Sequence, residues 1–309
     1  MRAAQIEVTS LGKRYGQVTA LDDVSLRVGP GSVLGVLGHN GAGKTTLIDI
    51  LTTRIRPTSG TATVCGWDVV RFGEHVRRQI GVTSQFAAVD ESMTGRRNLL
   101  LFARLLGAKR RQAKARADEL LATFGLTEAA NRKVATYSGG MRRRLDLAVS
   151  LLGKPKVLFL DEPTTGLDPV SRTELWRSVA GLAAAGTTVV LTTQYLEEAD
   201  TLADEVMVLA MGSIVAQGSP AELKAGIGSR TATVTVSPTD AERARDALLR
   251  AGMRVRSHDH ALSVALAAAT DVPALVRALD HAGIAIIDLT ITEPSLDDVY
   301  LALHAGGGA

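Results

Sequence analysis

The chain is poor in cysteine and aromatic residues, and it contains no long hydrophobic run. Cys65 is the only cysteine among 309 residues, which excludes an internal disulfide and a multi-cysteine metal site. The longest stretch without a charged residue, between Arg177 and Glu197, is interrupted by Gly181, Gly186 and four threonines. We therefore predict a helix, a turn and a strand in that stretch, and no membrane span.

The charge balance argues against nucleic acid as a partner. A net charge of +3 is a small surplus for this length. The most basic segment, 86–137, has a helical pattern but no helix-turn-helix or RNA-binding aromatic pattern. Its charges fit solvated helix faces, or a position beside anionic lipid. The first residues lack the apolar core of a signal peptide, so we expect a cytoplasmic protein without a transmembrane segment.

A glycine-rich stretch follows an apolar strand predicted at 31–37 and precedes a helix predicted at 46–51. It fits the phosphate-binding pattern G-x-x-x-x-G-K-[ST], and a chance glycine turn would not have this strand and helix around it. Lys44 can reach the β- and γ-phosphates of a nucleotide, and the Thr45 hydroxyl can bind Mg²⁺. The candidate ATP-binding residues are Gly38, His39, Asn40, Gly41, Ala42, Gly43, Lys44, Thr45 and Thr46.

A second apolar strand, predicted at 156–160, delivers two acidic residues at its carboxyl end. Asp161 can hold Mg²⁺, and Glu162 would point the other way by strand alternation and act as general base toward a water molecule. The alternative is that the two acids only cap the next helix. Asp168 follows on a loop that could reach across a dimer interface. A further buried strand at 187–193 ends at Gln194.

Two other motifs lie between these strands. Ser138, Gly139, Gly140 and Met141 combine a good helix N-cap with glycines that leave N–H groups open, which indicates a second anion site. One chain needs a single γ-phosphate site, so the second is interpreted as serving a partner's nucleotide. Gln85 ends a strand, where it is either a solvated amide or a Mg²⁺ ligand that reports nucleotide state to the next segment.

In this order, over residues 5–225, these motifs resemble those of ATP-binding subunits of ABC transporters. The resemblance implies an α/β P-loop NTPase fold with a helical subdomain inserted at about 86–137. It implies that Tyr15 stacks on adenine and that Gln85 belongs to the Q-loop. It also implies a head-to-tail homodimer that holds two ATP molecules, with Mg²⁺, between the P-loop of one chain and residues 138–141 of the other.

Two positions depart from the family pattern. Met141 stands where glutamine is commoner, which is a modest change because this site binds through backbone groups. Gln194 stands where the family usually has a histidine. Glutamine can donate a hydrogen bond to a γ-phosphate but cannot become a cation, so we predict slower hydrolysis. Glu162, Gln194 and Lys44 are the candidate catalytic residues, and Thr45, Gln85 and Asp161 the candidate metal ligands.

Residues 192–200 and 293–300 resemble the drug-resistance branch of that family. The resemblance implies an exporter ATPase that works with a separately encoded membrane permease, at the cytoplasmic face of the membrane. One alternative is a non-transport ABC ATPase acting on ribosomes or DNA, which the single cassette and the lack of sustained heptads disfavour. Another is an ATP-binding switch with little hydrolysis, which Gln194 would favour.

The remaining residues, 226–309, are predicted to form a small accessory α+β domain after a linker at 226–229. Its elements are expected in the order β-α-β-β-α-β, which is the ferredoxin-like pattern, with a last helix beginning near Pro294. The sequence His258-Asp259-His260 invites a metal-site interpretation. Without a third ligand, a polar hairpin turn is the favoured interpretation.

Overall fold

A computed structural model describes residues 4–83, 89–227, 230–258, 261–266, 271–292 and 295–305. The chain divides into two compact units, Met1–Pro220 and Ala221–Ala309. No helix in these described ranges combines the length and the apolar character that crossing a bilayer requires.

The secondary structure alternates between strands and helices through most of the chain. The strands are β1 (Ile6–Tyr15), β2 (Val18–Val28), β3 (Val33–Leu37), β4 (Ser59–Val64), β5 (Trp67–Asp68), β6 (Ile80–Thr83), β7 (Val157–Asp161), β8 (Thr188–Thr193), β9 (Glu205–Ala210), β10 (Ser213–Gly218), β11 (Arg230–Val236), β12 (Val255–His258), β13 (Ala261–Leu266) and β14 (Ile286–Thr292). The helices are α1 (Lys44–Leu51), α2 (Gly73–Arg77), α3 (Gly95–Leu105), α4 (Arg110–Thr123), α5 (Gly139–Ser150), α6 (Pro169–Ala184), α7 (Leu196–Leu202), α8 (Pro220–Ile227), α9 (Ala241–Arg250), α10 (Asp271–His281) and α11 (Leu296–Ala305).

The first unit is built on a six-stranded sheet with the order β10-β9-β3-β8-β7-β6. Its strands pair in parallel except for β10, which is antiparallel to β9. Apolar cores cover both faces, which explains why every residue of β3 and β8, and all but the last residue of β7, is buried. In β7, Leu158 and Leu160 face one core while Val157 and Phe159 face the other. Because the strands are parallel, the residues after β3, β7 and β8 meet at one edge.

A second, antiparallel sheet with the order β2-β1-β4-β5 shares a core with α1 on one face of the central sheet. The alternation of residues over 6–28 predicts short strands joined by turns, and this prediction is wrong in the length of the strands. Two long strands, β1 and β2, pair there instead. Register shifts along β1 coincide with a left-handed φ of 46° at Ser10, whose N–H donates to Ser25 Oγ at 2.8 Å. Such bulges let a strand continue where regular pairing stops.

The opposite face of the central sheet carries a helical core formed by α3, α4, α5 and α6. α3 begins at an N-cap, Thr94, whose hydroxyl accepts the N–H of Arg97 at 3.2 Å. The helical character predicted for 86–137 is thus present in the described part of that segment. Gln85 lies outside the described residues.

The second unit contains a four-stranded antiparallel sheet with the order β12-β13-β11-β14. With α9 and α10 in their places along the chain, this is the predicted ferredoxin-like arrangement. His258 pairs with Ala261, so β12 and β13 form the expected hairpin, while Asp259 and His260 lie outside the described residues. The predicted linker is wrong at Gly226 and Ile227, which belong to α8. Among the residues described, no group of His, Cys, Asp and Glu could hold a metal ion.

Candidate nucleotide site

The loop between β3 and α1 closes on itself around Lys44, at which α1 begins, two residues earlier than the sequence pattern predicted. The Lys44 ammonium donates to Gly38 O at 2.6 Å and to His39 O at 3.1 Å, and the side chain is only 6% exposed. Burial lowers the pKa of Lys44, and the nearby carboxylates of Glu162 and Asp161 oppose that change. The loop is therefore closed around the buried Lys44 side chain.

Three glycines of this loop are required for different reasons. A Cβ on Gly43, at a φ of 107°, would lie 2.5 Å from Ala20 O. A Cβ on Gly38 would lie 2.5 Å from Leu209 O. Gly41 also has a positive φ, 85°, but nothing lies within 4 Å of its Cβ position. Close packing thus excludes side chains at both ends of the loop, while its middle borders open space that a phosphate chain can occupy.

Thr192 of the neighbouring strand β8 binds the carboxylate of Asp161, which ends β7, and the backbone N–H of Glu162, which follows it. Thr192 Oγ1 donates to Asp161 Oδ1 at 2.5 Å and accepts the N–H of Glu162 at 3.1 Å. Glu162 has a left-handed φ of 45° and lies beyond the strand, so strand alternation does not set its direction, contrary to prediction. Thr165 Oγ1 donates to Glu162 Oε2 at 3.3 Å. No sequence motif marks Thr192, and its signal in the sequence is a polar residue near the end of a buried strand.

The second glycine-rich segment heads α5, as predicted. Ser138 is the N-cap, and its Oγ accepts the N–H of Met141 at 3.2 Å. Gly139 is exposed, and a Cβ on Gly140 would overlap the Ser171 side chain. Only a glycine therefore allows α5 to approach α6 this closely while its first N–H groups stay open.

Asp168 is the N-cap of α6, not a free loop residue. Its carboxylate accepts the N–H of Ser171 at 2.9 Å and the Ser171 hydroxyl at 2.7 Å, and these bonds lower the pKa of Asp168. Ser171 thus lies beside both Asp168 and Gly140, and it connects the two segments that were expected at a dimer interface.

The two glycine-rich segments lie on opposite faces of the central sheet. Leu47 and Ile48 of α1 belong to the core shared with the antiparallel sheet, whereas Leu145 and Leu147 of α5 belong to the helical core. α1 packs against β2, β4 and β7, while α5 packs against α3, α4, α6 and β6. The chain therefore does not bring its two glycine-rich segments together on one face.

Gln194 and Tyr15 are both accessible. Gln194 follows β8 and is exposed. Tyr15 ends β1 with 49% of its surface exposed, and the Lys13 ammonium lies 4.9 Å from its ring centroid. The hairpin that carries Tyr15 continues into β2, whose Ala20 carbonyl abuts Gly43. An aromatic side chain is thus available on the element that borders the loop.

Four residues after Gln194, α7 carries a buried carboxyl that no sequence motif marks. Glu198 is fully buried, and its Oε1 accepts the Trp176 indole N–H at 3.1 Å. Burial raises the pKa of Glu198, and the side chains of Thr193, Trp176 and Thr164 oppose that rise. This carboxyl connects α7 to α6, at whose start Asp168 lies.

Comparison with known proteins places these features in a family. A family model described as ABC transporter matches residues 21–165, and another, described as ATP-binding protein DrrA1-3-like, C-terminal domain, matches residues 218–303. Daunorubicin resistance ATP-binding protein DrrA3 from Streptomyces coeruleorubidus is 49% identical over 305 residues, which cover 98% of this chain and 96% of that protein. The chain belongs to the DrrA-type ATP-binding proteins of ABC transporters.

Other relatives agree with that assignment. Daunorubicin/doxorubicin resistance ATP-binding protein DrrA from Streptomyces peucetius is 45% identical over 302 residues, 96% of this chain and 92% of that protein. Among solved structures, cbiO1 from Clostridium perfringens, described as part of the ABC transporter complex cbiONQ, matches with a TM-score of 0.68 and 25% identity over 81% of this chain and 96% of that one. The ABC resemblance and the drug-resistance resemblance inferred from the motifs are both confirmed.

Proposed function

We propose that this DrrA-type protein is the ATP-hydrolysing subunit of an exporter, and that it drives efflux of drugs or antibiotics through a separate membrane permease. The resistance proteins that match along nearly the whole chain support this proposal. The observation that carries the mechanism is the placement of the two anion-binding segments on opposite faces of one sheet. In two chains placed head to tail, each nucleotide would lie between the loop 38–46 of one chain and residues 138–141 of the other.

In this proposal the loop 38–46 holds the phosphates of ATP through its N–H groups and Lys44. The exposed Thr45 hydroxyl and the Asp161 carboxylate, which Thr192 orients, are oxygen donors of the kind that Mg²⁺ prefers, and Gln85 is the third proposed ligand. A bound Mg²⁺ would neutralise charge on the phosphate oxygens. Glu162 accepts a proton from the attacking water.

Residues 138–141 would bind the γ-phosphate of the partner's ATP, so nucleotide binding closes the homodimer and hydrolysis opens it. Asp168 would lie at the same interface, because Ser171 holds it beside Gly140. The protein would act at the cytoplasmic face of the membrane, where closing and opening of the dimer would drive conformational change in the permease.

We expect Gln194→His to raise ATP turnover about tenfold, because an imidazolium would donate a charge-assisted hydrogen bond where glutamine donates a neutral one. Steady-state phosphate release at saturating ATP measures the effect. Gln194→Ala is the control and should fall below the wild type. A wild-type rate equal to that of Gln194→His would refute the idea that glutamine slows hydrolysis.

We expect Tyr15→Ala to weaken ATP binding about tenfold, since stacking of one base on an aromatic ring contributes about 1–3 kcal/mol. Displacement of a fluorescent ATP analogue measures the dissociation constant. Tyr15→Phe keeps the ring and should bind as the wild type does. Equal affinities for all three proteins would show that Tyr15 does not contribute to ATP binding.

The proposed function is tested by purifying Glu162→Gln with ATP from detergent-solubilised cells and identifying the proteins that accompany it. A multi-span membrane protein should co-purify, and its joint expression with the wild-type chain should lower drug accumulation in cells. Ribosomal or DNA-associated partners without a membrane protein would overturn the transport function. Near-zero turnover of the wild-type chain in complex with that membrane protein would instead favour a nucleotide-binding switch.

A further inference from the structure

Three consecutive arginines in α5 make contacts with three different parts of the first unit. Arg142 pairs with Glu91 at 2.9 Å, and Arg144 pairs with Glu174 of α6 at 3.0 Å. Arg143 lies between them with only 12% of its side chain exposed. Arg143 donates to three backbone oxygens, whereas Arg142 donates to one, Tyr137 O at 3.3 Å.

Arg143 donates to three successive carbonyl groups of the segment that carries the candidate base. Its Nη2 lies 3.0 Å from Asp161 O and 3.2 Å from Glu162 O, and its Nε lies 2.8 Å from Pro163 O. Burial lowers the pKa of the guanidinium, and Asp146, with a carboxylate oxygen 3.6 Å away, is first among the acids that oppose this change. Because a guanidinium is a rigid planar fork, it can bind these oxygens together only in one arrangement of the backbone.

Glu162 needs such support because of its own backbone conformation. Glu162 has a left-handed φ, which is strained in a residue other than glycine and persists only where neighbouring groups enforce it. Thr192 accepts the Glu162 N–H through both its carbonyl oxygen and its hydroxyl, each at 3.1 Å. Arg143 donates to the Glu162 carbonyl from the other side. The strained residue is thus held at both of its peptide groups.

We propose that Arg143 is a positioning residue that couples the start of α5 to Glu162 of the same chain. The inference rests on the proposed function, in which residues 138–141 bind the partner's ATP and Glu162 activates the water. Arg143 lies on the helix that those residues head, two positions after Met141. A displacement of α5 on engaging the partner's nucleotide is therefore transmitted to the backbone of Glu162. Through this connection, each chain of the dimer places its own base in response to the nucleotide of the other.

The test compares Arg143→Lys with Arg142→Lys, a matched pair of substitutions that keep the charge and differ in the contacts they remove. A lysine cannot reproduce the fork that binds three carbonyls, so kcat for ATP should fall tenfold or more in Arg143→Lys, with KM changed less than about threefold. Arg142→Lys should keep the wild-type kcat. Arg143→Gln is a second variant for the case in which Arg143→Lys does not fold.

A double substitution separates positioning from general destabilisation. In the Glu162→Gln background, Arg143→Lys should leave the residual turnover unchanged, because the group that Arg143 positions is already absent. ATP-dependent dimer formation by Glu162→Gln should also persist with Arg143→Lys added. The proposal is overturned if Arg143→Lys keeps the kcat of Arg142→Lys, if it lowers the residual turnover further, or if it abolishes the ATP-bound dimer. A wild-type chain without turnover would refute the proposed function itself, and that rate is measured first.

Discussion

Glu162→Gln should lower ATP turnover by about 10²–10³-fold while ATP binding is retained. An amide has the shape of the carboxylate and keeps an acceptor for the Thr165 hydroxyl, but it cannot take a proton from water. The loop around Lys44 is unchanged, so the nucleotide should accumulate in a closed dimer. Phosphate release at saturating ATP measures the loss, and size-exclusion chromatography with and without ATP measures the dimer.

Glu197→Gln is the matched control for this experiment. Glu197 is 72% exposed and has one long ion pair, 3.7 Å to Arg172, so its replacement should leave turnover at the wild-type value. A Glu162→Gln variant that hydrolyses ATP as fast as Glu197→Gln would contradict the role of Glu162 as general base.

Gly43→Ala should destabilise the first unit by about 3 kcal/mol or more, because the new Cβ combines backbone strain with overlap. It would lie 2.5 Å from Ala20 O and 2.9 Å from Leu21 Cδ2, and neither the main chain of β2 nor its packing can yield without moving the sheet. We also expect ATP binding to be lost, since the loop would have to leave its position. Chemical denaturation followed by tryptophan fluorescence isolates this unit, because both tryptophans, Trp67 and Trp176, lie in it.

Gly41→Ala is the comparison that separates strain from overlap. Gly41 has a similar positive φ, 85°, but an added Cβ meets nothing within 4 Å. Only the strain term remains, so the loss of stability should be about 1 kcal/mol. Equal losses for the two variants would show that the packing of Gly43 against β2 does not decide the stability of the loop.

The sequence alone predicts those parts of the fold that depend on local patterns. The mainly apolar runs that became β3 and β7, and the β-branched run that became β8, are visible because both faces of a parallel strand are covered. The ferredoxin-like order of the second unit follows from alternating strand and helix patterns. The extent of β1 and β2 was missed, because bulges interrupt the alternation that marks a strand.

The candidate site was predicted where a motif carries it and missed where distant residues meet. Three parts of the site are adjacent in sequence to the elements that position them. They are the loop 38–46, the Ser138 cap, and the acids Asp161 and Glu162 at the carboxyl end of β7. Thr192 and Arg143 reach the same acids from other elements, and the left-handed φ of Glu162 exists only because they hold it. Contacts of this kind depend on tertiary packing, so no spacing in the sequence indicates them.

The position of β3 has a consequence for how the protein is made. Val33 pairs with Val189 of β8, and Leu34 pairs with Glu205 of β9. The strand that leads to the P-loop can therefore pair with β8 and β9 only late in synthesis. Gly38 is closed in by Leu209, which is translated later still. A nascent chain that ends before these residues has no assembled nucleotide cradle, and ATP cannot assist its early folding. The apolar β3 therefore remains unpaired while most of the first unit is translated. During this interval, aggregation competes with folding.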